Sequence, residues 1–131
     1  MTSFAKQEAF FPGQASIDSY GNGGFRFADM SHRGSILILP SGIYGWPVSS
    51  MDELRVDAFA RVFAEAEQVE FLLLGSGTDM IRPSAEMREA FRNHGVGLEF
   101  MSTGAAARTY NILLSEKRAV AAALIAVDSA R

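Results

Sequence analysis

The sequence predicts a single three-layer α/β domain with a central mixed, largely parallel sheet, an N-terminal β-hairpin and about three helices. Three observations carry that expectation. From residue 52 onward, helical spacing and short apolar runs alternate as helix, strand, helix, strand, helix, strand. Right-handed crossovers build that order into a parallel sheet. Gly34–Leu39 and Ala119–Val127 are apolar runs rather than alternating ones, as strands covered on both faces are, and Val69–Leu74 is a further buried-strand candidate. The chain has 131 residues, 48% hydrophobic and 21% charged, which suits one sizeable core and ordinary globular composition.

Each element can be justified in order. Residues 1–14 read as a loose segment, set off by Pro12-Gly13, and residues 15–131 as the domain. Ala15–Asp18 and Gly24–Ala28 flank Tyr20-Gly21-Asn22-Gly23, and Asn-Gly accepts the positive φ that a tight hairpin demands. Phe25 and Phe27 alternate with Arg26 as in a half-buried strand. Gly34–Leu39 is a central strand closed by Pro40-Ser41-Gly42, and Ile43–Pro47 is a further short extended piece. Asp52–Gln68 has helical spacing, with Val56, Phe59, Phe63 and Ala66 on one side and Asp57, Arg61, Glu65 and Gln68 elsewhere. Val69–Leu74 is the next strand. Ser84 suits the N-cap of a helix with Glu86 near its positive end, a Met87/Phe91 apolar pair and Gly95 at its C-cap. Val96–Met101 is a strand, Ser102 or Thr103 caps a helix to about Leu114, and Ala119–Val127 closes the sheet.

Composition excludes several classes of function. Twelve Lys+Arg against fifteen Asp+Glu leave a net charge of −3, so a dedicated nucleic-acid binder is not expected. The absence of cysteine removes disulfides, thiolate metal sites, Fe–S clusters and thiol nucleophiles together. Neither a secretory signal nor an Arg-rich transit peptide is visible at the N-terminus. The longest apolar run, Ala119–Val127, has nine residues, well short of the roughly 20 of a spanning helix. No cofactor motif occurs.

Two segments have the composition of a ligand site. Gly75-Ser76-Gly77-Thr78 follows a buried strand, where open parallel sheets gather ligands and glycines let main-chain N–H groups approach an anion. It lacks the third glycine of a dinucleotide fingerprint and the Lys-Ser/Thr of a phosphate loop, so a tight structural turn is the competing reading. The second segment runs from Ser102 and Thr103 through Gly104 to Arg108, Tyr110 and Asn111, at a helix start rich in free N–H donors. If the two strands are parallel neighbours, these loops could form one anion-accepting crevice with Arg82 at its edge. The competing reading is a capped helix packed closely through its alanines, with Arg108 in a structural ion pair. His32 and His94 are lone histidines, read as solvated surface residues rather than metal ligands. Asp79, Glu99 and Glu116 merely lie near element ends. Ser41 lacks the Gly-x-Ser-x-Gly elbow of a hydrolase. Trp46, Tyr44 and Phe25 read as core or lid residues, or as a protein-contact patch.

Taken together, Phe25-Arg-Phe, His32-Arg-Gly-Ser, Leu39-Pro-Ser-Gly-Ile43 with Trp46, Leu73-Leu-Gly-Ser-Gly77 and Met101-Ser-Thr-Gly-Ala-Ala-Ala-Arg-Thr-Tyr-Asn111 resemble a small family of unknown function that includes the mitochondrial respiratory complex I assembly factor 3. The resemblance runs from about residue 15 to 127. It implies a three-layer α/β domain, no established enzymatic activity, and action by binding other proteins at the inner membrane in the mitochondrial members. Ser76 and Ala107 stand where that family's pattern leads us to expect Thr and Cys, and Lys117 where it leads us to expect a helix-ending glycine. Whatever the Ser102–Asn111 block does here, it does without a thiol.

The resemblance and the lack of a coherent catalytic constellation lead to a non-catalytic interaction module with an unidentified protein partner, an accessory or assembly factor for a membrane-associated complex. The alternative is a binder of, or enzyme for, a small anionic ligand at the two loops. Lacking a transit peptide, the chain is expected in a bacterial cytoplasm, with peripheral inner-membrane association and homo-oligomerisation left open.

Overall fold

The structure, a computed structural model, describes residues 10–130. Strands β1 (Phe11–Pro12), β5 (Ser35–Leu39), β6 (Gly42–Trp46), β7 (Phe71–Gly75), β8 (Gly97–Met101) and β9 (Val120–Leu124) form the central sheet in the order β1-β6-β5-β9-β7-β8. A separate antiparallel sheet holds β2 (Ser19–Gly21), β3 (Gly24–Phe27) and β4 (Met30–Arg33). The helices are α1 (Ala60–Ala64), α2 (Ala85–Asn93) and α3 (Thr103–Ser115). The three-layer α/β architecture is as expected. Parallel pairing is confined to β8-β7-β9, and the β1, β6, β5 and β9 pairings are antiparallel. For β5 and β6 the cause is local: Leu39 pairs with Gly42, so only Pro40-Ser41 separates them, and a two-residue link can join only antiparallel strands.

Alternate residues of each central strand feed two cores. Leu37, Leu39, Leu72, Leu74, Ala121 and Ala123 face one side, where Phe59, Val62, Met87 and Phe91 cover them. Ile36, Ile38, Leu73, Ala122 and Leu124 face the other, under Phe25 and Phe27 of the small sheet and Ala106, Ala107 and Tyr110 of α3. Burying a large apolar side chain such as Phe27 contributes about 1.5–3 kcal/mol. That double burial explains the unbroken apolar runs.

Several expectations need correction. The chain at 15–18 is not the hairpin's first strand, which lies at Ser19–Gly21; Ile17 gives its main chain to α3 instead. Asn22 (φ 52) and Gly23 (φ 77) do make the tight turn. The strand β4 was not foreseen, because the β3–β4 turn is Ala28-Asp29, with φ of 49 and 61 and no Gly. The Asp52–Gln68 segment is not one helix. It breaks into 3-10 turns at Met51–Glu53, Val56–Phe59 and Ala66–Gln68 around the five-residue α1. No side chain caps any of these starts, and the Trp46 indole donates to the Ala58 carbonyl, a tertiary contact that overrides local propensity. His32 is half-buried on β4 with its ring 4.5 Å from that of Phe10, whereas His94 is at the surface as expected, exposed with one ring face stacked on Phe63 at 4.0 Å. The loose-segment expectation for residues 1–9 lies outside the described residues, while Phe11 and Pro12 pair with Ile43 and Gly42 at the sheet edge.

Helices α2 and α3 end alike. Gly95 after α2 has φ 72 and Lys117 after α3 has φ 61. In each the next residue donates back across the last turn, Val96 to Phe91 and Arg118 to Leu113, both at 3.0 Å. These are paired Schellman closures, one with glycine and one with lysine in the left-handed position. Among the described residues no helix is long and apolar enough to cross a membrane.

Candidate functional site

Strands β7 and β8 are parallel neighbours, so the two singled-out loops do meet at their carboxyl ends. The chain leaves β7 toward α2 on one face of the sheet and leaves β8 toward α3 on the other. That divergence is the switch point where open sheets usually offer a crevice. Here the chain's own polar groups occupy it. Thr103, fully buried, donates its hydroxyl to the Ile125 carbonyl at 2.6 Å and accepts from the Gly77 N–H at 3.0 Å. Its main-chain N–H donates to the Gly77 carbonyl at 2.8 Å. The buried Ser76 hydroxyl donates to the Asp79 carbonyl at 2.7 Å, has the Met101 carbonyl at 3.1 Å as a second acceptor, and accepts from the Ile81 N–H at 2.9 Å. Gly75 has no room for a side chain, since a Cβ there would lie 2.9 Å from the Thr103 Cα. Gly77 takes φ +108, a left-handed turn that suits glycine. Ser102 is the N-cap of α3 and accepts from the Ala105 N–H; Gly104 is buried behind it.

The remaining residues of the second segment go elsewhere. The Tyr110 hydroxyl donates to the Ala15 carbonyl at 2.8 Å, and burial holds the phenol above the ordinary tyrosine pKa. Asn111 accepts from the Ile17 N–H and donates to the Ile17 carbonyl, each at 2.8 Å, as a neighbouring strand would. Arg108 is exposed, 3.5 Å from the Tyr20 hydroxyl, in a hollow of about 340 Å³ it shares with Asp18, Ala107 and Asn111. Arg82 is exposed on the loop between Ser76 and Ser84. Thr78, with Ser76 and Gly77, borders a separate open cleft of about 720 Å³ that also contains Arg33, Ser49, Met51, Ile81 and Asp128. The loops meet, then, but Thr78 and Arg108 face different hollows.

One residue beside the cleft was not legible in the sequence, and Ser41, there read only as lacking a hydrolase elbow, has a structural role away from it. Ser35 is buried beside the cleft, donating to the Val48 carbonyl at 2.6 Å and accepting from the Ala126 N–H at 2.9 Å. A lone serine opening an apolar strand was its only signal. Ser41 donates to the Glu65 carboxylate and touches the Tyr44 hydroxyl, which ties the β5–β6 turn to the segment after α1. Among the described residues no group of three or more His, Asp or Glu could hold a metal ion.

A model for a "Protein of unknown function (DUF498/DUF598)" matches residues 17–125, nearly all of this architecture. The chain belongs to the DUF498/DUF598 family. Within it, the chain is 40% identical over 126 residues to an uncharacterised protein of Rhodobacter capsulatus, covering 96% of each. It is 36% identical over 109 residues to the NADH dehydrogenase [ubiquinone] 1 alpha subcomplex assembly factor 3 of Danio rerio, covering 83% of this chain and 63% of that one. The chain therefore spans under two-thirds of that relative. Among solved structures, a protein of Bartonella henselae described as an outer membrane protein superposes with a TM-score of 0.86 at 52% identity, covering 90% of this chain and 99% of that one. The family thus joins bacterial members without assigned function to complex I assembly factors.

Proposed function

We propose that this chain is a non-catalytic, protein-binding accessory factor that acts in assembly of a membrane-associated complex. The observation that carries this reading is the 36% identity to an assembly factor across 83% of the chain. The site geometry supports it: Ser76 and Thr103, the buried hydroxyls at the switch point, are held in internal hydrogen bonds, so little remains there to activate a substrate. On this reading Gly75, Ser76, Gly77, Ser102, Thr103, Gly104, Tyr110 and Asn111 form the frame. Thr78, Arg82 and Arg108 are the members of the set open to a partner, and a bacterial cytoplasm with peripheral contact to the inner membrane is where they would act. Affinity purification of the tagged chain from its native host tests this. A stable protein partner is expected, and its absence overturns the reading. Native gels of membranes from a strain lacking the chain should show an incompletely assembled NADH dehydrogenase complex.

A second reading, an anionic ligand in the 720 Å³ cleft, rests on Thr78 and Arg33 in its wall, against which Asp52 and Asp128 also stand. Thermal shift against nucleotides, phosphates and carboxylates decides it. A ligand at 100 times its Kd adds about 2.7 kcal/mol, and an unchanged Tm across the panel removes that reading.

A further inference from the structure

The central sheet covers one of its edges and leaves the other open. On the covered side β1 lies along β6, and Pro12 within it has no N–H to offer a further strand. On the other side β8 runs five residues without proline and, among the described residues, pairs only with β7. The Gly97 N–H donates to the Glu70 carbonyl, and the Met101 carbonyl accepts from the Ser76 N–H, both toward β7. Main-chain groups alternate sides along a strand. Those of Leu98 and Phe100 therefore face outward, where no strand of the described residues pairs with them.

Beside this edge, α3 packs over β7 and β9 and reaches little of β8. A hollow of about 470 Å³ results, with Phe71, Leu73, Met101 and Leu113 as its apolar wall. Glu99 stands in it, exposed and without a hydrogen bond or ion pair to any described residue. The nearby Glu70 is already paired with Arg118 at 3.3 Å. Open main-chain groups beside an apolar hollow are what strand addition uses: backbone bonds supply affinity, and alternate side chains seated in pockets supply specificity.

We propose that the free edge of β8 and the hollow beside α3 take an extended segment of a partner protein, with a Lys or Arg opposite Glu99 and apolar side chains flanking it. The charge selects this occupant over a second copy of the chain. Two β8 strands paired about a two-fold axis through Glu99 would set that carboxylate against its own copy, and like charges directly opposite are destabilising. A basic residue there gains the same interaction with favourable sign. The inference rests on the reading of the chain as a protein-binding factor and names the surface it uses.

The test is a titration of the full chain, followed by amide NMR, with short extended peptides alternating Val and Thr around a central Lys, Gln or Glu. The Lys peptide should shift the Leu98 and Phe100 amides and the residues of the hollow. It should bind about fivefold more tightly than the Glu peptide, the size of one cross-strand charge pair. Glu99→Lys should reverse that order, and N-methylation of the Lys peptide's backbone should abolish binding by both forms. Shifts confined to other surfaces, the same affinity for all three peptides, or no binding at concentrations on the order of 1 mM would overturn the site. So would a β8-mediated dimer of the wild-type chain in sedimentation. Those failures leave the accessory-factor reading standing if a partner is still recovered from the host; loss of every partner removes both.

Discussion

The switch point between β7 and β8 and the free edge of β8 lie on the same strand, yet they treat polar groups in opposite ways. At the switch point, Gly, Ser and Thr residues make a motif that looks like a ligand cradle, and nearly every one of its donors and acceptors is turned inward to another part of the chain. At the edge there is no motif, only Leu98 and Phe100 with outward main-chain groups and Glu99 without a partner among the described residues. The difference teaches that residue type shows where hydrogen bonds are needed, but not whether the protein keeps them for itself.

The contrast can be broken or sharpened by substitution, beginning where the effect should be largest. Thr103→Val keeps the volume but leaves the Ile125 carbonyl and Gly77 N–H without their buried partner, and should lower stability by about 2–4 kcal/mol in urea denaturation. A change near zero would mean that the junction is not a structural clasp. Gly75→Ala pushes a Cβ onto the Thr103 backbone and should cost about 1–3 kcal/mol in the same assay. Tyr110→Phe removes the bond to Ala15 and should cost about 1 kcal/mol. The native phenol titrates above its unfolded value of about 10, so its contribution is full below that pH and is lost as pH rises beyond it. Wild-type stability should therefore fall more steeply above about pH 10 than that of the Phe variant. Lys117→Gly should raise Tm, by about 0.5–1 kcal/mol of stability, because Gly95 already occupies the matching position after α2. Smallest of all, Glu99→Lys should change stability by less than about 0.5 kcal/mol while reversing the peptide preference of the edge.

Legibility in the sequence followed the range of the interaction concerned. Ser84 and Ser102 cap their helices and Gly95 ends α2 at a positive φ, because caps depend on a few consecutive residues. The Asn22-Gly23 turn was legible for the same reason, whereas Ala28-Asp29 adopts an equivalent turn without its signature residues. The helix expected over 52–68 fails where the Trp46 indole reaches the Ala58 carbonyl from the preceding strand, β6, twelve residues back and outside the segment's own pattern. In the candidate site, the sequence made adjoining loops conditional on β7 and β8 being parallel neighbours, which they are. It could not foresee that Thr103 would fill the gap between them, nor that Asn111 and Arg108, one turn of helix apart, would serve Ile17 and an open hollow respectively.

By itself, then, the sequence determined the α/β class, five of the six central strands and their order along the chain, the caps of α2 and α3, and family membership, all of which rest on local pattern and on residues close together in the chain. Tertiary structure alone decided that β9 runs antiparallel beside β5, the inward turn of the Ser76 and Thr103 hydroxyls, and the open edge of β8 among the described residues. Those depend on which distant segment arrives to accept a hydrogen bond or cover an edge. Ile125 reaches Thr103, and no described strand reaches Leu98 or Phe100.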